Sequence, residues 1–227
     1  MPRTLEVIVT TLDEAMEAER GGADRVELVR SLEVGGLTPP ANVVEEVTRT
    51  LSIPVRVMLR ENAGMTIEGL DELRALEEAA NRLGQMPMDG FVLGFVRDGS
   101  VDIAATREIL GCAPNRPGTF HRAFEHVRDP LRAIHDLKQI PQIDRILTTG
   151  GEGSWAGRKQ RLTAWQEAAS PEIRILVGAG LCAATLTDIA SDAHAMEVHV
   201  GRAARIPQTV EGVVDRDRVA LLKSLLS

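Results

Sequence analysis

Several apolar runs in the sequence end in side chains that could carry out acid–base or anion-binding chemistry. The stretch Gly118–Glu125 (GTFHRAFE) passes from a short apolar run into His121, Arg122 and Glu125. An imidazole that titrates near neutrality, a fixed cation and a carboxylate are groups that general acid–base catalysis uses. A solvated loop after a core strand would explain the same residues, so the rest of the chain has to decide.

Further polar residues stand at similar positions, and with His121 and Arg122 they form the predicted catalytic set. The other members are Glu27, Arg60 and His199, each at or near the end of an aliphatic run. We expect His121 to act as a general acid or base, and Glu27 as a second base or an orienting group. The two arginines would clamp an anion.

Loops rich in glycine form a second group of candidates. Glycine lets backbone N–H groups approach a ligand closely, and the N-terminus of a following helix favours an anion. The predicted set for binding phosphate or carboxylate is Thr149, Gly150, Gly178, Gly180, Gly201 and Arg202. Simple turn formation is the alternative explanation for these glycines.

The elements that must position these residues alternate along the whole chain. Strands are predicted at 5–9, 24–29, 54–60, 89–95, 118–121, 143–148, 172–178 and 195–200. Helices are predicted at 11–22, 40–50, 67–83, 102–110, 130–140, 159–169, 183–190 and 215–226. Strands that alternate with helices imply parallel pairing through right-handed crossovers.

This alternation predicts an α/β fold, a TIM (β/α)8 barrel that forms a single domain over residues 1–227. A doubly wound sheet would usually need fewer units, and no GxGxxG motif follows the first strand. The functional sites of TIM barrels lie at the C-terminal ends of the strands. The candidate residues would therefore converge at one mouth of the barrel.

Buried ion pairs are the structural alternative for the acidic candidates. Glu6 and Glu27 would pair with Arg56 or Arg60 inside the barrel, because buried carboxylates must be paired or neutral. Such pairing does not exclude function, since a buried carboxylate beside a charged partner is also where perturbed pKa values occur.

Composition limits the partners and the compartment. A net charge of −7 argues against nucleic acid and anionic membranes, because both bind cationic surfaces. No apolar run reaches the ~20 residues needed to span a bilayer, and the start of the chain lacks a signal-peptide pattern. Cys112 and Cys182 have no metal-ligand spacing, and a cytoplasmic location is the simplest. Cys182 is expected at a helix start as a small buried residue.

Seven segments, in order and spacing, resemble the copper-homeostasis CutC family. They are LEVIVTTLDEA, GGADRVELVRSLEVGGLTP, VMLR, FHRAFE, ILTTG, VGAGL and MEVH, and they cover nearly the whole chain up to about Ala203. The resemblance implies a cytoplasmic TIM barrel, commonly a homo-oligomer, with copper as a possible cofactor. Matching positions in the family carry the same residue at Glu6, Glu27, Arg60, His121, Arg122 and His199.

A few positions depart from the family's pattern. The family often has cysteines, the thiols proposed for Cu(I), where this chain has Ile8 and Val29. Cu(I) prefers soft thiolate ligands, so these replacements predict weak copper binding. Asn62 replaces the family's second arginine after the third strand, and Glu125 replaces its usual aspartate. Two functions stay open: a CutC-like protein of copper homeostasis, or an enzyme for a small anionic or phosphorylated substrate at the barrel mouth. A third possibility is a barrel whose polar interior has only a structural role.

Overall fold

The computed structural model describes residues 3–178, 180–190 and 196–226. Within these residues eight parallel strands close into a barrel, which confirms the predicted fold. The strands are β1 (Thr4–Val9), β2 (Arg25–Leu28), β3 (Val55–Met58), β4 (Gly90–Leu93), β5 (Gly118–Phe120), β6 (Ile143–Thr148), β7 (Arg174–Val177) and β8 (Glu197–Val200). Ala195, the first residue of the predicted eighth strand, lies outside the described residues.

The helices surround the barrel in the predicted order. They are α1 (Leu12–Arg20), α2 (Ala41–Thr50), α3 (Leu70–Gly84), α4 (Ile103–Gly111), α5 (Pro130–Leu137), α6 (Trp155–Ala169), α7 (Ala183–Ala190) and α8 (Arg216–Ser224). Side chains that accept a hydrogen bond from a backbone N–H three residues later cap several of the helix starts: Thr11, Asp102, Asp129, Ser154 and Asp215. None of the helices, in the part of the chain that is described, is long and apolar enough to cross a membrane.

Side-chain alternation along the strands separates two apolar regions. Leu5, Val7 and Val9 of β1 belong to the large core cluster that includes helix residues such as Ala15. Ile8, on the opposite face of the same strand, packs instead with Val29, Met58 and Val92 in a small cluster. Because alternate residues of a strand face opposite sides of the sheet, this small cluster lies inside the barrel.

Charged residues fill much of the remaining barrel interior, in pairs that differ from those expected. Glu6 bonds to Arg25, which stands beside it in the register of β1 and β2. Arg56 pairs with Asp89 and Asp144 at 2.8 and 2.7 Å. The expected pairing of Glu6 and Glu27 with Arg56 or Arg60 is therefore wrong. Glu27 stands beside Arg56 in the register of β2 and β3, but the Arg56 guanidinium is held by the two aspartates.

Short elements that the sequence patterns did not predict follow several strand ends. Two antiparallel ribbons pair Val96–Arg97 with Ser100–Val101 and Arg205–Ile206 with Val213–Val214. Single turns of 3-10 helix span Leu32–Val34, Arg122–His126 and Arg202–Ala204. These turns lie at the C-terminal end of the barrel, where they build the walls of the site.

Candidate functional site

A cavity of about 460 Å³ opens at the C-terminal ends of the strands. Most of the residues predicted from the sequence line it: Glu27, Arg60, His121, Arg122, Gly180, His199, Gly201 and Arg202. They come from β2 and β8 and from the segments that follow β3, β5, β7 and β8, so closure of the barrel brings them together. Ile8, Met58 and Leu147 add apolar surface to the same cavity.

The other predicted anion-binding residues do not line this cavity. The backbone N–H of Thr149 donates to Glu125 at 2.6 Å, and that of Gly150 donates to the Thr148 hydroxyl at 3.1 Å. Gly178 donates its N–H to the Thr148 carbonyl at 2.9 Å. Since all three N–H groups already have acceptors within the chain, they are not free donors for an anion.

Glu125 has a structural role in this loop. Besides the Thr149 amide, its Oε1 accepts the hydroxyl of Thr148 at 2.6 Å. These bonds fasten the end of β6 to the turn that follows β5. Ala179, the middle residue of the predicted Gly178–Gly180 loop, lies outside the described residues.

Arg60 is a buried cation that is held by backbone carbonyls. It is 4% exposed and donates to the carbonyls of Val34, Gly36 and Gly64 at 3.2 to 3.3 Å, and to that of Ala63. These bonds use four of the five guanidinium N–H groups and leave one on Nη2. No carboxylate of the described chain lies within ion-pair distance of Arg60, although buried charges are normally paired.

A second cation, Arg122, lies near Arg60 at the cavity. Burial, with a further contribution from the charge of Arg122, lowers the pKa of Arg60. Arg122 is exposed, and like Arg60 it has no carboxylate partner among the residues that the structure describes. The two guanidinium groups therefore give one side of the cavity a positive potential that favours an anion.

His121 has an environment that keeps its imidazole neutral. The ring is 4% exposed, and its Nδ1 accepts the N–H of Ala123 at 3.1 Å. Burial, and then the charge of Arg60, lowers its pKa to about 3. With Nδ1 accepting, the proton is on Nε2, which has no hydrogen-bond partner in the described chain. The expected titration near neutrality is wrong, and His121 is a neutral N–H donor.

Gly94 makes room for this imidazole. A Cβ at position 94 would lie 2.6 Å from the His121 Nδ1 and 3.1 Å from the Ala123 Cβ. Neither atom is at the end of a flexible side chain, so any larger residue would displace the ring. The glycine that follows β4 is thus required by packing.

The pH dependence of stability should reveal the depressed pKa of His121. An unfolded histidine takes up its proton near pH 6.5, whereas native His121 does so near pH 3. Between these two pH values the unfolded state binds the proton and the native state does not. The free energy of unfolding therefore falls as the pH drops from 6.5 towards 3, by up to ~1.4 kcal/mol per pH unit, and this term is absent above pH 6.5. His121→Asn keeps an acceptor for the Ala123 N–H and removes the titration. Urea unfolding from pH 7 to 5 should show a shallower loss in the variant, and parallel curves would contradict the assignment.

Glu6, Glu27 and His199 meet beside the cavity, and Glu27 and His199 line it. The Nδ1 of His199 lies 2.8 Å from Glu6 and 3.4 Å from the Oε2 of Glu27. Burial raises the pKa of Glu27 to about 7. Burial alone would lower the pKa of His199, but the charges of Glu27 and Glu6 outweigh it and raise that pKa.

The pKa of Glu6 moves in the opposite direction. Burial would raise it, but the charge of Arg25 and the contacts with His199 hold it well below its usual range. Glu6 is therefore the ionised member of the cluster. Arg25 was not among the residues singled out from the sequence, and only the register of β1 with β2 identifies its role.

The residues present do not form a thiolate site for Cu(I). Ile8 and Val29, at the positions of the family's cysteines, belong to the apolar cluster inside the barrel. Cys112 follows the C-terminal end of α4, and Cys182 precedes the N-terminal end of α7, so they lie at opposite ends of the barrel. Soft donors of the cavity lining, in the described part of the chain, are the thioethers of Met58 and Met65.

Cys182 is also more accessible than the sequence suggested. It lies at the start of α7, as predicted, but it is exposed and not a buried residue. The backbone N–H and the hydroxyl of Thr185 hydrogen-bond it, and these contacts lower the pKa of its thiol. It does not line the cavity.

The loops after β2 and β3 complete the cavity wall, and their residues other than Arg60 were not among the predicted site residues. Leu32, Glu33, Val34 and Gly35 come from the first loop, and Ala63 and Met65 come from the second. Gly35 and Gly36 have φ values of 88° and 93°, which glycine adopts readily. This glycine pair allows the first loop to turn its carbonyls towards Arg60. In the sequence, the same pair is the local signal that indicates this turn.

Comparison with known proteins identifies related sequences over most of the chain. The sequence model of the CutC family matches residues 3–204. A human copper homeostasis protein cutC homolog is 32% identical over 196 residues, which cover 86% of this chain and 71% of the relative. A family protein CutC of Enterobacter sp. (strain 638) is 34% identical over 196 residues, covering 86% and 78% respectively.

Solved structures agree with the architecture. A crystal structure of a copper homeostasis protein CutC from Streptococcus agalactiae is similar, with a TM-score of 0.81 and 28% sequence identity. The match covers 88% of this chain and 98% of that one. Phosphoribosylanthranilate isomerase of Thermotoga maritima is 11% identical with a TM-score of 0.65, and this likeness concerns the fold alone.

Proposed function

The chain belongs to the CutC family and retains the polar residues of the family at the barrel mouth. We propose a function for this mouth. The cavity binds a small anion, a phosphate or carboxylate group, as part of the substrate of an enzyme. Its volume of about 460 Å³ lies within the ~300–1,000 Å³ usual for small-molecule sites.

The single observation that carries this proposal is Arg60, a buried cation with no carboxylate partner among the described residues. Burying an uncompensated charge costs several kcal/mol, and an anion in the cavity would supply the missing counter-charge. The free Nη2 N–H of Arg60, the Nε2–H of His121 and the exposed guanidinium of Arg122 all belong to the same cavity lining. Preorganised donors of this kind bind phosphate and carboxylate strongly.

Inorganic phosphate should stabilise the protein by mass action. At 100 times its Kd a ligand adds about 2.7 kcal/mol of stability, which raises the melting temperature by several degrees. Arg122→Ala removes one cation and should shrink the shift. Arg74→Ala, on the exposed face of α3, should leave the shift unchanged. The proposal fails if millimolar phosphate does not stabilise the wild type, or if Arg122→Ala responds equally.

The copper-homeostasis role in the names of relatives is the second candidate function. The side-chain atoms that could ligate Cu(I) in the cavity disfavour it. We expect the reduced protein to bind Cu(I) weakly, because the cavity offers thioethers and no thiolate among its described residues. Competition titration with a Cu(I) chelator should give weak binding that depends on Cys112, Cys182 or histidines. Tight stoichiometric binding that survives Cys112→Ser and Cys182→Ser would contradict this.

A cytoplasmic location and homo-oligomeric assembly, which the family resemblance implies, stay predictions.

A further inference from the structure

Glu6, Glu27 and His199 form a buried cluster of potential metal ligands at the cavity that Arg60 and Arg122 also line. One donor atom from each residue lies within 4.8 Å of the others. The exposed fractions are 0%, 1% and 8%, respectively. The three residues stand on the adjacent strands β1, β2 and β8, so the barrel itself fixes their relative positions.

The Oε2 atom of Glu27 points independently to a missing ligand. It is buried and has no hydrogen-bond partner in the described chain. Leaving a buried polar atom without a hydrogen bond is unfavourable, and such atoms are rare in native structures. Glu27 and His199 both line the cavity, so an ion held between them would keep coordination positions open on that side.

His199, at 3.4 Å, is the one ion-pair partner of Glu27 among the described residues. Arg25 bonds to Glu6 and, at 2.9 Å, to Glu197. Arg145 also bonds to Glu197, at 2.6 Å, and to Asp144. Glu27 has no arginine or lysine within ion-pair distance among the described residues, so a cation could still be accommodated beside it.

We propose that Glu6, Glu27 and His199 bind a divalent cation of hard or borderline character, such as Mn²⁺ or Zn²⁺. Two carboxylate oxygens and one imidazole nitrogen suit these ions and do not suit Cu(I). Arg25 orients Glu6 by holding its Oε2 and leaves Oε1 for the metal, as an outer-shell partner does. His199 would release its Nδ1 proton to the solvent, and the cation would take the place of that proton between His199 and Glu6.

The experiment uses the full chain after treatment with a chelator and its removal. Mn²⁺ is titrated with the free ion followed by electron paramagnetic resonance, and Zn²⁺ is titrated by calorimetry. The expected result is one ion per chain, with affinity lowered at least about ten-fold in Glu27→Gln and in His199→Asn. Glu33→Gln is the matched control, because Glu33 is an exposed acid that lines the same cavity outside the cluster.

Circular dichroism and melting curves check that each variant is folded. Two separate ligand variants are used so that the test remains possible if one of them does not fold. No saturable binding, unchanged affinity in both ligand variants, or an equal loss in Glu33→Gln would overturn the proposal. Phosphate stabilisation is measured in the presence of a chelator. A failure of the cation site is therefore distinguishable from a failure of the anion site.

Discussion

Replacing Arg25 with methionine should lower the free energy of unfolding by about 3–5 kcal/mol, the usual cost of breaking a buried ion pair. Arg25 is 4% exposed and is shared by Glu6 and Glu197. Glu197 keeps Arg145 and Arg174 as partners. Among the described residues Glu6 would keep only His199, and its carboxylate is fully buried. Most of the loss should therefore arise from Glu6.

Urea unfolding measures this effect, with Arg20→Met as the control. Arg20 forms an ion pair with Glu17 at 2.6 Å, but its side chain is 54% exposed, so its loss should cost less than ~1 kcal/mol. Adding Glu6→Gln to Arg25→Met should restore part of the stability, because it removes the uncompensated charge. An Arg25→Met protein as stable as the control would show that the Arg25–Glu6 pair contributes little to the free energy of unfolding.

Replacing Arg60 with methionine should weaken phosphate binding at least ~30-fold. Loss of one partner of a buried charge-assisted contact costs about 2–5 kcal/mol, and each 1.4 kcal/mol is a factor of ten in Kd. The variant also frees the carbonyls of Val34, Gly36, Ala63 and Gly64, so some loss of stability is expected with it. Calorimetric titration with phosphate measures the affinity directly.

Arg116→Met controls for that structural loss. Within the described part of the chain, Arg116 likewise donates only to backbone carbonyls, those of Gly84, Met86 and Met88, at 3.0, 2.7 and 2.6 Å. These carbonyls precede β4, at the opposite end of the barrel from the cavity. The control should lose stability without losing phosphate affinity, and equal weakening in both variants would refute the role given to Arg60.

The barrel was predictable because its strands leave strong local signals. Parallel strands buried on both faces are short aliphatic runs, and each is followed by a helix that often begins at a capping residue such as Asp102 or Asp129. Strand ends of a closed barrel share one mouth, so Glu27, Arg60, His121 and His199 could be brought together from the sequence alone.

Details that depend on register and loop geometry could not be predicted in this way. The pairing of Glu6 with Arg25 follows from the alignment of β1 and β2, which no local pattern encodes. The neutral state of His121 follows from burial against Gly94 and from the nearby charge of Arg60. The backbone N–H of Thr149 donates a hydrogen bond to Glu125, a residue from a different loop.

A crystal structure of the protein grown with inorganic phosphate tests the central claim most directly. We predict one phosphate in the cavity, with oxygen atoms at hydrogen-bond distance, ~2.7–3.2 Å, from the Nη2 of Arg60 and the Nε2 of His121. Arg122 should lie close enough to contribute its charge. A cavity that holds only water at saturating phosphate, or a phosphate bound away from Arg60, would contradict the account.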